Sequence, residues 1–432
     1  MKKLLSLLLV LTIVLALPLV GLADTVEVTE PITITLVHSR SSGVHLDEMN
    51  RVVEEFNKTN DKGITVIAEY GGGNTEIYSR VAIDSQTGEN CQIALLGFTT
   101  VGTLAAAGML ADMLPYAERD GFDLANLLEC FNRGLYYGDA LVALPYIRSD
   151  SIVYYNKDIW AKAGYDTIPG DIETFTEACK KIYAEQGIPG WRAGVATDFV
   201  IGAFIKSIDG AGLVSPDGMS PISLEDGALQ EVLTWWNTGA QEGWIEKFTV
   251  TDDGTNRLNN FYNGQLACIT DSCGSMSTIL KNAAEKGLDV GFAPIPGFRG
   301  KACSSTGGSN MVIVSKNNTD QQIAASWEFL KFLLSDDQQI INSQATGYVP
   351  VTYSAGATQA MADFWVENPS YKYAYDVLEF AIEGYASPFL AAWQGEVTKV
   401  WNYVILDQSM TVEQGIEYLN AQKDIVFDPD IL

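Results

Sequence analysis

Across 432 residues, 54 acidic side chains stand against 27 basic ones, and the formal net charge of -27 at pH 7 repels phosphate backbones and anionic lipid. That balance argues against nucleic-acid and peripheral membrane partners, and a hydrophobic content of 47% argues against disorder. A chain of this length outgrows one hydrophobic core, so two lobes are expected.

The N-terminus carries Lys2 and Lys3, an apolar stretch over 4–20, and the small residues Gly21 and Ala23. Together these read as a cleaved export signal over 1–23, with the mature chain starting at Asp24. A spanning helix wants about 20 apolar residues, and this run is shorter and contains Pro18. Anchoring through a lipidated cysteine needs a cysteine at the cleavage point, and the first one is Cys91. From Ile32, β-rich runs alternate with helical periodicity: a strand over 32–37, a helix over 46–57, a strand over 64–69, a helix after Asn74 and a strand over 92–96. Strands separated by crossover helices predict a mainly parallel sheet. The alternation resumes with a strand over 152–155 and helices over 172–185 and 224–241. A strand over 291–294 then runs into the Gly/Ser/Pro-rich stretch 295–309 and an apolar strand over 310–314. A helix over 321–334 follows, and past a turn at Gly347 the tail is largely helical to Leu419.

Six cysteines, at 91, 130, 179, 268, 273 and 303, are too sparse to staple so large a fold. Buried small hydrophobes are the favoured reading, with a bridge between two of Cys268, Cys273 and Cys303 left open in an oxidising compartment. The two histidines, His38 and His45, lie far from every cysteine in sequence, so neither a metal site nor a cofactor is expected.

Three short stretches carry the most information: YYNKD at 154–158, FYNGQLA at 261–267 and TGYVPV at 346–351. In the first, Asn156 turns an apolar run into a helix beginning near Lys157. In the third, Gly347 permits a sharp bend and Pro350 forbids helix continuation, which holds Tyr348 on a turn where it can face a cleft and contact ligand. In this order they resemble the extracellular solute-binding proteins of ABC importers, family 1, in the branch that binds sugars and glycerol 3-phosphate. The resemblance implies an α/β, two-lobed periplasmic-binding-protein-like fold of type II with three hinge crossings, near 146–150, 298–305 and 345–349, and a helical C-terminal tail. It divides the chain into a first lobe, 24–147 plus 303–345, and a second, 148–302 plus 346–432. It further implies a ligand in the interlobe cleft and ABC permease subunits as partners for an exported, soluble monomer.

Candidate ligand contacts follow the strand ends that such a cleft collects. His38 and Ser39 lie in the loop after the first strand, where a solvated loop is an equally good reading. At 71–76 three glycines allow backbone to approach a ligand, with Asn74, Thr75 and Glu76 as candidates. Phe98, beside Thr99, can offer a ring to the apolar face of a pyranose, against a core role. Ser149 and Asp150 sit beside the first crossing. Asp198, followed by Phe199, begins a helical segment and either caps it or accepts sugar hydroxyls. Ser272 opens another helix, whose N–H groups suit a hydroxyl or anion. Gly307 and Gly308 match the family's glycine pair. Trp235, Trp236 and Trp401 read as structural packing, whereas Trp393, in SPFLAAWQGE at 387–396, is a candidate aromatic face for a sugar and falls where the glycerol-3-phosphate branch carries an arginine. No arginine follows Arg299 in this chain.

Enzymatic readings find little support. No GxSxG elbow, HExxH, Walker loop or Rossmann fingerprint is present, and Asp252–Asp253–Gly254 lacks the rest of a calcium loop. The expected function is non-enzymatic: an extracytoplasmic receptor, periplasmic or released, that delivers a mono- or oligosaccharide to a permease. The alternatives are a glycerol-3-phosphate or glycerophosphodiester receptor of the same fold, and a secreted carbohydrate-active enzyme.

Overall fold

The computed structural model describes residues 25–193, 199–247 and 255–431. The export-signal expectation, Asp198 and Asp252–Asp253 therefore lie outside the described residues. The chain begins as the alternation predicts. Strand β1 (Ile32–His38) is followed by helix α1 (Gly43–Thr59), β2 (Ile64–Tyr70), α2 (Asn74–Thr87), β3 (Ile93–Gly97) and α3 (Phe98–Ala106). Both β2 and β3 pair with β1 in parallel, as crossover helices require.

A hairpin of β4 (Tyr136–Tyr137) and β5 (Ala140–Leu141) leads into β6 (Leu144–Asn156), all thirteen residues of which are buried. The run expected over 152–155 is thus the second half of a longer strand. Its first half pairs antiparallel with β10 (Ser304–Ile313). Its second half pairs with β8 (Cys268–Ser272) and β9 (Val290–Ala293). With β7 (Trp191–Ala193) and β11 (Ala381–Ile382) these strands form one sheet, ordered β2-β1-β3-β10-β6-β8-β7, with β9 attached to β6 and β11 to β10. Because β6 and β10 run side by side from one lobe into the other, they make the first two crossings as a pair.

Two expectations need correction here. The Gly/Ser/Pro-rich stretch 295–309 is read as preceding the strand that starts at 310, but β10 already begins at Ser304: Ser304, Ser305 and Thr306 are buried strand residues, and a register shift falls at Ser309/Asn310. Pairing with β11 over 304–305 and with β6 over 306–309 overrides the weak strand propensity of serine and glycine. Nor does the tail pass directly into the second lobe. The Leu128 N–H donates to Val351 O at 2.9 Å, and Val377 and Leu378 join the core built on β1 and β3. From Tyr385 onward the chain packs against the other core, where Leu390 joins Trp160, Phe204 and Trp236.

The junction residues behave as their chemistry dictates. Asn156 Oδ1 accepts from the N–H groups of Asp158 and Ile159, capping helix Lys157–Lys162. Gly347 ends helix Asp336–Thr346 at φ 79°, a left-handed position that disfavours other residues. Among the described residues no helix is long and apolar enough to cross a membrane.

Candidate functional site

A cavity of about 300 Å³ opens where the two lobes face each other. Its first-lobe wall is built from two helix starts, Asn74 on α2 and Gly97 to Thr99 at the β3–α3 junction. Its floor is the crossing pair, with Ser149 on β6 opposite Thr306, Gly307 and Gly308 on β10. The second-lobe wall is Phe199, Ser272 and Gln394. Glycine is required at two of these points. A Cβ on Gly307 would stand 2.5 Å from the Phe199 ring and 2.9 Å from Ser149 Oγ, so only a bare backbone lets the ring lie over the floor. Gly308 has φ 87°, and a Cβ there would meet Ile147 O at 2.0 Å.

The arrangement suits a polar, uncharged molecule with an apolar face. Asn74, Thr99, Ser149, Ser272 and Gln394 offer hydroxyl and amide groups that both donate and accept, while Phe98 and Phe199 offer rings. None of the described lining residues is charged. The nearby cations are otherwise engaged or remote. Arg148 is wholly buried in an ion pair with Glu383, with Asn310 Oδ1 also accepting from it. Arg40 donates to Tyr348 Oη at 3.1 Å, and Lys301 is exposed outside the cavity.

Of the residues expected from the sequence, Asn74, Phe98, Ser149, Ser272, Gly307 and Gly308 line this cavity; Asp198 lies outside the described residues, and His38, Ser39, Thr75, Glu76, Tyr348 and Trp393 are not in its lining. His38 is buried, its Nδ1 accepting from the Arg40 N–H at 3.1 Å; burial and then the Arg40 charge hold its imidazole below the ordinary range, so it stays neutral. Ser39 is half-buried, and Thr75 and Glu76 are exposed on the first turn of α2. Tyr348 is half-buried at the lobe junction, its ring 5.3 Å from that of His45 and packed against Gly274. Trp393 is 0% exposed and meets Phe427 edge-on at 5.5 Å, so its ring faces the second core. It lies on the apolar stripe of helix Leu390–Trp401 with Leu390, Val397 and Val400, and Gln394, one residue on, turns toward the cavity instead. Gly97, Thr306 and Gln394 carried no signal that marked them in advance.

A larger hollow, of about 670 Å³, lies elsewhere, among Leu128, Arg133, Tyr375 and Glu383. Glu383 pairs with Arg148, the neighbour of Ser149 on β6. Successive strand residues face opposite sides, so this hollow lies behind the crossing strands, on the face of β6 opposite Ser149. All six cysteines are free, and burial pushes the Cys91 and Cys303 thiols up to about 12.

On the same rear face, Asp150 is fully buried and neither carboxylate oxygen has a hydrogen-bond partner. Burial pushes this carboxyl from 3.8 up to about 7, the Cys273 thiol beside it countering only in part. Between those values the folded chain holds a proton that the unfolded chain releases. The stability this group contributes is therefore complete below about pH 4 and is lost as pH rises through about 7, at about 1.4 kcal/mol per pH unit. Asp150→Asn should remove that part of the pH dependence, raising the urea midpoint at pH 8 more than at pH 5. An equal shift at both pH values would refute the assignment.

Known proteins share the family and the fold. Residues 51–372 match the model of the family described as bacterial extracellular solute-binding protein. Among curated relatives, the sn-glycerol-3-phosphate-binding periplasmic protein UgpB of Brucella melitensis is 24% identical over 348 residues, covering 76% of this chain and 77% of that one. UgpB of Yersinia enterocolitica is 28% identical over 250 residues, 54% and 55% of the two chains. Among solved structures, the sugar-binding protein MalE from Xanthomonas citri superposes with a TM-score of 0.78 at 19% identity, over 93% of this chain and 98% of that one. UgpB from Mycobacterium tuberculosis in complex with glycerophosphocholine gives 0.76 at 20% identity, over 94% and 100%. These likenesses show the two-lobed fold.

Proposed function

The chain belongs to the bacterial extracellular solute-binding protein family, and from that premise we propose that it captures a neutral carbohydrate between its lobes and delivers it to the permease of an ABC importer. One observation carries the choice of ligand: the described cavity wall pairs two phenylalanine rings with hydroxyl and amide groups and holds no charged side chain. A sugar presents the matching surfaces, hydroxyls at its edge and C–H groups on its face.

A second reading, a receptor for glycerol 3-phosphate or a glycerophosphodiester, is favoured by the names of the curated relatives. A buried phosphate without a cationic partner carries a large desolvation cost, and the backbone N–H groups after Ser272 would offset only part of it. Calorimetry against mono- and oligosaccharides, glycerol 3-phosphate and glycerophosphocholine decides between the two. The expected result is binding of at least one neutral sugar and none of the phosphate compounds. Tight binding of glycerol 3-phosphate with no response to any sugar would overturn the proposal and turn attention to Arg40, Arg148 and Lys301.

A further inference from the structure

One turn beyond the cavity, α3 touches the opposite lobe backbone to backbone. A Cβ on Gly102 would stand 2.4 Å from Ser387 O and 2.5 Å from Ser387 N, closer than real side chains approach. Glycine alone lets the helix reach that turn. The turn is fixed within the second lobe, because Ser387 Oγ donates to Gly218 O at 2.6 Å and accepts from the Phe389 N–H at 3.1 Å. Across the seam, Thr103 Oγ1 donates to Pro388 O at 3.0 Å. The seam also has an apolar part. Phe98 starts α3 in the first lobe, yet it is 7% exposed and belongs to the core of the second. Drawing α3 away would return that ring to water, which burial opposes.

We propose that Gly102 is a positioning residue: by admitting the Ser387–Pro388 turn against α3, it creates a direct lobe-to-lobe contact that favours the closed arrangement before any ligand enters. The contact does not depend on what the cavity binds. Its consequence for affinity does rest on the reading of the cavity as the ligand site. A chain already closed for part of the time binds more tightly in proportion to the competent fraction, so Gly102 would tune affinity without touching ligand.

The contact is tested without ligand, by the distance between nitroxide labels on one lobe and the other in the full mature chain. Lys58 and Lys180 are suitable positions, at 69% and 46% exposure, and five of the six native cysteines are buried. In the Lys58→Cys, Lys180→Cys background, the unaltered seam should give a dominant short distance. Adding Gly102→Leu should move the population to distances longer by several ångström. Thr103→Val, which keeps the side-chain shape and removes one hydrogen bond, should move it the same way by less and decides the matter if the leucine variant fails to fold. Identical distance distributions in the unaltered seam and in the folded variants would overturn the proposal. Absence of sugar binding would count against the ligand assignment and leave the seam standing.

Discussion

Phe199→Ala is expected to bind the sugar identified by the calorimetric panel about ten- to a hundredfold more weakly, a loss of about 1.4 to 2.8 kcal/mol, while unfolding at nearly the same temperature as the unaltered chain. The ring is half-buried, stands over Gly307 and faces the cavity, so truncating it removes ligand contact area and leaves most core packing in place. Phe98→Ala should behave differently. Phe98 lines the same cavity but is nearly enclosed by the second core, and emptying such a site costs about 3–5 kcal/mol of stability. Calorimetry paired with thermal unfolding separates the two outcomes. Unchanged affinity in Phe199→Ala would move the ligand out of this cavity.

Arg148→Met is expected to lower stability by about 3–5 kcal/mol. Arg148 and Glu383 are both fully enclosed, and the second carboxylate oxygen of Glu383 accepts from the Gly134 N–H at 3.2 Å. Without the guanidinium, a buried carboxylate keeps one backbone hydrogen bond and must either remain charged in an apolar site or take up a proton. Burial already raises the Glu383 carboxyl above its ordinary range, and Arg148 is what pulls it back. The deficit should therefore shrink as pH falls and Glu383 protonates. Arg148→Met combined with Glu383→Gln should recover much of the loss, because the orphaned charge is gone. Chemical unfolding of the single and double variants at pH 5 and pH 8 measures this. A double variant no more stable than Arg148→Met at pH 8 would show that the guanidinium matters through packing over the Phe131 ring, 4.6 Å away, and not through charge.

Where the sequence has one strong local rule, it predicts the structure closely. The 2.0 and 3.6 periodicities place β1, β2 and β3 and their crossover helices, and the chemistry of Asn156 and Gly347 places two junctions. The expectation fails at 304–309, where small polar residues hide a strand whose order comes from partners far away in sequence. The cavity is legible in part for the same reason. Ser149, Gly307 and Ser272 sit at strand ends or crossings that the pattern reveals. Whether a residue beside such an end faces the cavity depends on helix phase, and Trp393 and Gln394 differ by a single position. The Leu390, Trp393, Val397, Val400 stripe of this helix contained the answer.

The paired crossing of β6 and β10 also has a mechanical consequence. Two hydrogen-bonded strands resist being pulled apart far more than they resist twisting, so rotation of one lobe against the other takes place as torsion about this ribbon. Ser149, Gly307 and Gly308 lie on the ribbon itself and would hardly travel during such a rotation, whereas Phe199 and Gln394 belong to the lobe that turns. For the carbohydrate proposed above, hydroxyl groups that meet the floor would anchor the guest in either posture, and those that reach the second-lobe wall would supply the torque that shuts it.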